Sequence, residues 1–231
     1  MRNTYALLIA GDEERHVNAS IQFRNYLTNE AKFKLDRIWA FVDGETYYVL
    51  DKVRYFLEEA KAKNPNKPVV IAYNGHGVEG GITPSTLGQN SFISYEDLGS
   101  QLCHHDGGIL FINNCCFLGS CIPVFRDMGI LPKRGSVITS AGRKQESYGE
   151  HFQNTVQEFL LQKKSYQNRK IVVKPRLRYK TGIEFHKQKF NPVTGKWENT
   201  GKVRYDYRTA PAITQHPQRC GLDLDHLLFP Q

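Results

Sequence analysis

Val69-Val70-Ile71-Ala72-Tyr73-Asn74-Gly75-His76-Gly77 and Ile109-Leu110-Phe111-Ile112-Asn113-Asn114-Cys115-Cys116-Phe117-Leu118-Gly119-Ser120 continue the apolar, strand-length runs Pro68 to Tyr73 and Gly108 to Ile112, and each strand leads into a residue that can carry acid–base or nucleophilic chemistry. Similar runs recur at Tyr5 to Ala10, Ile38 to Val42 and Ser136 to Ser140. Between Val42 and Pro68, the residues Val49, Val53, Phe56, Leu57 and Ala60 fall on one stripe of a helix. Phe23, Tyr26 and Leu27 mark a helix after the first strand, and Ser94 with Asp97 three residues on reads as an N-cap opening a helix that carries Leu98 and Leu102. Strands alternating with helices form parallel βαβ units, because a parallel pair needs a long crossover. The expected fold class is therefore α/β, wound on both faces. In such sheets, functional residues gather at the carboxyl ends of the strands.

The 231 residues, 40% hydrophobic, suffice for one large α/β domain, or for a core of about 160 residues with an appendage. Five cysteines are too few for a disulfide scaffold and would leave one thiol over, so a reduced, cytoplasmic protein is expected. Tyr5 to Ala10 is shorter than a signal-peptide core and is followed at once by Asp12, Glu13 and Glu14; no window has the length of a membrane span. The net charge of +8 is uneven. Residues 1–162 carry 16 Lys/Arg against 18 Asp/Glu, whereas residues 163–231 carry 15 against 5. Two segments are expected: a domain over 1–162 and a basic, aromatic extension over 163–231, with extended stretches at Gly182 to Phe190 and Lys202 to Arg208 joined by a turn at Asn191 to Gly195.

A thiol attacks a peptide carbonyl as thiolate, and histidine is the group suited to take its proton near neutral pH. Neighbouring parallel strands would bring His76 and Cys116 to one sheet edge. The glycine after His76 permits close backbone approach, and the amides of Gly77 and Cys116 then face a developing oxyanion. The bland alternative is a histidine in a Gly-rich turn and two ordinary buried thiols at Cys115 and Cys116. Cys103, His104, His105, Cys115, Cys116 and Cys121 can be drawn as a zinc site, but their spacings fit none of the usual ligand pairs.

A strand ending in His-Gly, a helix, and a strand ending in Cys-x-x-Gly-Ser resemble the caspase/legumain clan of cysteine peptidases. The interval from His76 to Cys116 is most similar to legumain and the catalytic subunit of the glycosylphosphatidylinositol transamidase, and metacaspases also belong to the clan. Arg15-His16 is similar to the Arg-His pair of legumain-type first specificity pockets. Thr139 to Tyr148 is similar to the clan's strand after the nucleophile and its substrate-binding loop. The resemblance covers roughly residues 4–162 and implies a mostly parallel caspase-like sheet with helices on both faces, plus a basic, β-rich extension that the clan does not account for.

It further implies a cysteine endopeptidase with a His76–Cys116 dyad, Cys116 rather than Cys115 fitting the spacing to Gly119 and Ser120. Catalysis would need no cofactor and no metal, although calcium regulates some metacaspases. Arg15, His16, Asn114 and Ser147 would bind the substrate. With no carboxylate at 114, Arg15 and the Asn114 amide would favour Asp or Asn at P1, unless Asp12, Glu13 and Glu14 make a basic-P1 pocket instead. Where legumain has an asparagine that orients the histidine, this chain has Glu13. A protein or peptide is the expected partner. The basic extension leaves open a nucleic-acid surface, an acidic protein partner, or a solvated hairpin, and hence an inactive binding module as the rival reading.

Overall fold

Tyr5–Ala10 (β1) is buried at every residue, which requires cover on both faces of its sheet. In the computed structural model, which describes residues 3–42, 46–85, 91–140, 171–173, 178–191, 196–209, 213–215, 218–222 and 224–228, that cover is helical. Next come α1 (Glu14–Asn29), β2 (Ile38–Val42), α2 (Thr46–Lys63) and β3 (Val69–Asn74). A small antiparallel ribbon follows, of β4 (His76–Val78), β5 (Gly81–Thr83) and β6 (Ile93–Ser94), and leads into α3 (Tyr95–Leu102). After β7 (Ile109–Asn114), α4 (Cys121–Asp127) and β8 (Gly135–Thr139) lie the short β9 (Ile171–Val173), the long β10 (Arg178–Asn191) and β11 (Lys196–Thr209), β12 (Ile213–Gln215) and β13 (Gln218–Gly221).

Six strands form the main sheet in the order β13-β8-β7-β3-β1-β2. The pairs β1/β2, β1/β3, β3/β7 and β7/β8 are parallel, and β13 closes one edge antiparallel to β8. This is the mostly parallel, helix-flanked sheet that the resemblance implies.

Alternation along β1 divides the core in two. Ala6 and Leu8 join Phe23, Tyr26 and Leu27 of α1 with Val70, Ala72, Leu110 and Ile112. Tyr5, Leu7 and Ile9 join the stripe Val49, Val53, Phe56, Leu57 and Ala60 of α2, together with Leu98 and Leu102 of α3 and Phe125 of α4. The expected cap is present, since Ser94 Oγ accepts from Asp97 N at 3.0 Å and donates to Asp97 Oδ2 at 2.7 Å.

Register positions the site. Ala10 lies opposite Asn74, and Asn74 opposite Asn114, so the carboxyl ends of three adjacent strands are level. What leaves that row is Gly11 to Glu13 from β1, Gly75-His76 from β3 and Cys115-Cys116 from β7.

The chain divides into two compact units, 1–171 with 215–231, and 172–214. The charge pattern sets the expected boundary between 162 and 163, whereas residues 215–231 cluster with the first unit, where β13 is an edge of the main sheet. The second unit is built on the β10/β11 hairpin, paired from Arg178↔Thr209 to Asn191↔Lys196, and spans both stretches expected to be extended. The turn expected there, at Asn191 to Gly195, falls largely outside the described residues.

Candidate active site

His76 lies two residues past β3, opens β4 and is flanked by two glycines. A Cβ on Gly75 would overlap the Tyr73 hydroxyl, which passes beneath the turn and donates to the His76 carbonyl at 2.8 Å. A Cβ on Gly77 would overlap Cys115 Sγ and stand 2.6 Å from the Cys116 carbonyl oxygen. The Gly77 backbone thus runs close against the Cys115 side chain and the Cys116 carbonyl.

At the N-cap of α1, Glu13 has extended dihedrals but makes no side-chain cap bond. Its carboxylate is used elsewhere. Oε1 lies 2.5 Å from His76 Nε2 and Oε2 lies 2.6 Å from Arg15 Nε, while Arg15 also brings a terminal nitrogen to 3.4 Å from His76 Nε2. The bond to His76 is the main reason the Glu13 carboxyl is held below the usual range, with Arg15 adding to it. An ionised carboxylate only accepts, so Nε2 carries the ring proton in the neutral histidine and Nδ1 keeps the lone pair. Glu13, at the place where the resemblance expects an asparagine, thus accepts from His76 Nε2.

His16 packs edge-on against His76, with ring centroids 4.8 Å apart at 88°. Burial, then the neighbouring His76 and Arg15, lower its pKa to about 4, so it is neutral at pH 7. Its Nδ1 is buried and without a hydrogen-bond partner among the described residues.

The two cysteines separate as strand alternation requires. Cys115 is 2% exposed and belongs to the core beneath α3 and α4, where burial pushes its thiol well above the usual range. Cys116 is half-buried at the strand end. Its loop is tightly held: Phe117 adopts a left-handed φ of 57°, its carbonyl accepts from Ser120 Oγ at 2.7 Å, and that oxygen accepts from Gly80 N at 3.3 Å. Ser140, just past β8, donates from Oγ to the Cys115 carbonyl at 3.3 Å.

Asn114, expected in the substrate pocket, is 6% exposed, and its amide donates to Asn74 Oδ1 at 2.9 Å. Asn74 donates in turn to Ser20 Oγ at 3.0 Å, so this chain ties α1, β3 and β7 together beneath the site. The sequence signal for it was an asparagine at the end of each of two apolar runs; what makes them partners is the register. Arg15 is brought beside His76 as expected, with its side chain 57% exposed. Ser147, in the expected substrate loop, lies outside the described residues.

The residues considered for zinc do not converge. His105 Nε2 bonds the Lys67 carbonyl at 3.0 Å, the Cys103 thiol faces the Met128 carbonyl, and Cys121 is core. Among the described residues, the one group of three whose donor atoms do converge is Glu13, His16 and His76, within 4.8 Å. No helix among the described residues is long and apolar enough to cross a membrane.

No family model matches the chain, and no curated protein matches it in sequence. Its fold is similar to that of solved structures. Caspase-1 from Spodoptera frugiperda aligns at 14% identity over 69% of each chain with a TM-score of 0.49. A secreted C11 cysteine protease from Bacteroides thetaiotaomicron, solved with an irreversible peptide inhibitor, aligns at 14% identity over 68% of this chain and 53% of its own, with a TM-score of 0.48. Raptor from Chaetomium thermophilum aligns at 15% identity over 63% of this chain and 16% of its own, with a TM-score of 0.43. At these identities the likeness is one of fold.

Proposed function

We propose that this chain is a cysteine endopeptidase in which Cys116 attacks, His76 moves the proton and Glu13 orients the imidazole. The observation that carries the reading is the 2.5 Å bond between Glu13 Oε1 and His76 Nε2, at a histidine whose backbone neighbour abuts the Cys116 carbonyl. With Nε2 occupied by Glu13, Nδ1 is the nitrogen left to take the thiol proton. The Cys116 thiolate then adds to the scissile carbonyl carbon, and the Gly77 and Cys116 amides stabilise the oxyanion. Collapse breaks the C–N bond as His76 returns the proton to the leaving amine. Water, deprotonated by His76, cleaves the thioester and regenerates the thiol. No metal or cofactor takes part.

The substrate is a protein or peptide, and the P1 preference we assign is Asp, or else Asn. Arg15 keeps most of its side chain exposed while Glu13 holds one edge of its guanidinium. The acidic run offers less to a basic P1 residue, because Glu13 serves His76 and Arg15, and Asp12 accepts from Ser85 at 2.9 Å. The test is a P1-scanning peptide library with three variants. Cys116→Ala should abolish cleavage, Cys115→Ala should retain most of it, and Arg15→Ala should lower cleavage after Asp by about a hundredfold. Equal loss in the two cysteine variants with the fold intact would refute the nucleophile assignment, and cleavage only after Lys or Arg would refute the pocket.

A further inference from the structure

Glu13, His16 and His76 each present one donor atom, and the three atoms lie within 4.8 Å of one another. Two imidazoles and a carboxylate are a ligand set that zinc accepts, with a fourth position left for water. Donors on a tetrahedral ion at about 2.0–2.1 Å stand about 3.3 Å apart. The Glu13–His76 pair, now 2.5 Å apart, would have to open by less than about 1 Å, and His16 to approach by no more than about 1.5 Å. No hydrogen bond at His16 Nδ1 opposes turning of that ring. Arg15 holds the far oxygen of Glu13 at 2.6 Å and so keeps Oε1 toward the histidines, while its terminal nitrogen, 3.4 Å from His76 Nε2, has to swing outward to admit the ion, as its exposed side chain permits.

We propose that Glu13, His16 and His76 form an inhibitory site for a divalent transition-metal ion of the zinc class. Coordination at His76 needs the Nε2 lone pair, so the proton on that nitrogen is displaced and the neutral ring carries its single proton on Nδ1. In that tautomer Nδ1 cannot accept the thiol proton, and the metal draws Glu13 from its orienting bond. The metal thus switches off the base without touching the nucleophile. This consequence rests on His76 acting as the base, whereas the binding does not.

Co2+ titrated into the full chain and followed by its visible d–d bands, then displaced by Zn2+, reads the site without reference to activity. One ion per chain is expected. His16→Gln and Glu13→Ala should each weaken binding at least tenfold with the circular dichroism spectrum unchanged, and Cys116→Ala should bind as the native chain does. In the native chain, Zn2+ should slow iodoacetamide alkylation of Cys116, followed by peptide mass spectrometry, at least tenfold. Binding that ignores both His16→Gln and Glu13→Ala, or that is lost in Cys116→Ala, would overturn the site. Alkylation that Zn2+ leaves unchanged, or peptidase activity that requires Zn2+, would overturn its inhibitory role. Failure of the peptidase reading itself shows separately, as full cleavage by Cys116→Ala.

Discussion

In the proposed dyad a carboxylate at position 13 does for His76 what an amide could do only in part, since it fixes the tautomer and would also balance the imidazolium formed on deprotonation of the thiol. Removing the side chain should therefore cost more than removing its charge. Glu13→Ala should lower turnover about a hundredfold or more, within the range of positioned acid–base groups. Glu13→Gln keeps an acceptor for Nε2 and should recover a large part of that loss. Equal losses in the two variants would show that Glu13 holds the backbone rather than the ring. His16 gives a stability prediction with a definite sign. Its pKa is near 6.5 when unfolded and about 4 when folded, so between those values the unfolded chain binds more protons and stability falls as the pH falls. The loss through this one group is no more than about 3 kcal/mol. Urea titrations from pH 7 to pH 4 should show a shallower slope for His16→Gln than for the native chain. His76 and Cys116 were legible because each follows an apolar run, and Cys115 could be sorted inward by alternation alone. The partner of Asn114 was not legible, because alternation tells which face a residue occupies but not which residue of another strand stands beside it.

At the scale of elements, the proposed dyad depends on how closely the chain leaving β3 approaches the chain leaving β7, and Gly77 lies at that approach. Gly77→Ala places a methyl against Cys115 Sγ and the Cys116 carbonyl, neither of which is the far end of a flexible side chain. The strand ends must separate or the turn must shift. We expect a loss of roughly 1–3 kcal/mol in stability, typical of overpacking, and a larger fractional loss in the rate of Cys116 alkylation than thermal melting alone would suggest. Unchanged alkylation would show that the contact is incidental to the dyad. The parallel strands and the helices facing them could be read from the sequence, because strands buried on both faces leave unbroken apolar runs and the helix stripes match them. The edge strand β13 could not. Gln218-Arg219-Cys220-Gly221 has no apolar pattern, since an edge strand joins its neighbour through backbone bonds and owes little to side-chain burial.

The whole molecule shows what a reading by charge misses. The basic composition beginning near residue 163 suggested an extension running to the end of the chain, but after unit 172–214 the chain returns to supply β13 and two leucines to the core. Leu227 and Leu228 lie buried among Ala6, Leu8, Phe23 and Tyr26, and the Tyr26 hydroxyl donates to the Leu228 carbonyl at 2.6 Å. Two deletions should then behave in opposite ways. Truncation after residue 162 removes the strand that covers the β8 edge and empties the leucine sites, each worth about 2–5 kcal/mol by the measure of a buried Leu→Ala change, so the product should aggregate. Excision of Val172–Thr214 leaves all of these in place. Ile171 and Gln215, which flank the excision, are the outer residues of β9 and β12; these strands are hydrogen-bonded neighbours, and neighbouring strands lie about 4.8 Å apart, so a short Gly/Ser linker can join the two residues. That shortened chain should express as a folded monomer, melt cooperatively and keep a Cys116 that is alkylated at the native rate. If it aggregates as the 162-residue chain does, the second unit is part of what stabilises the first.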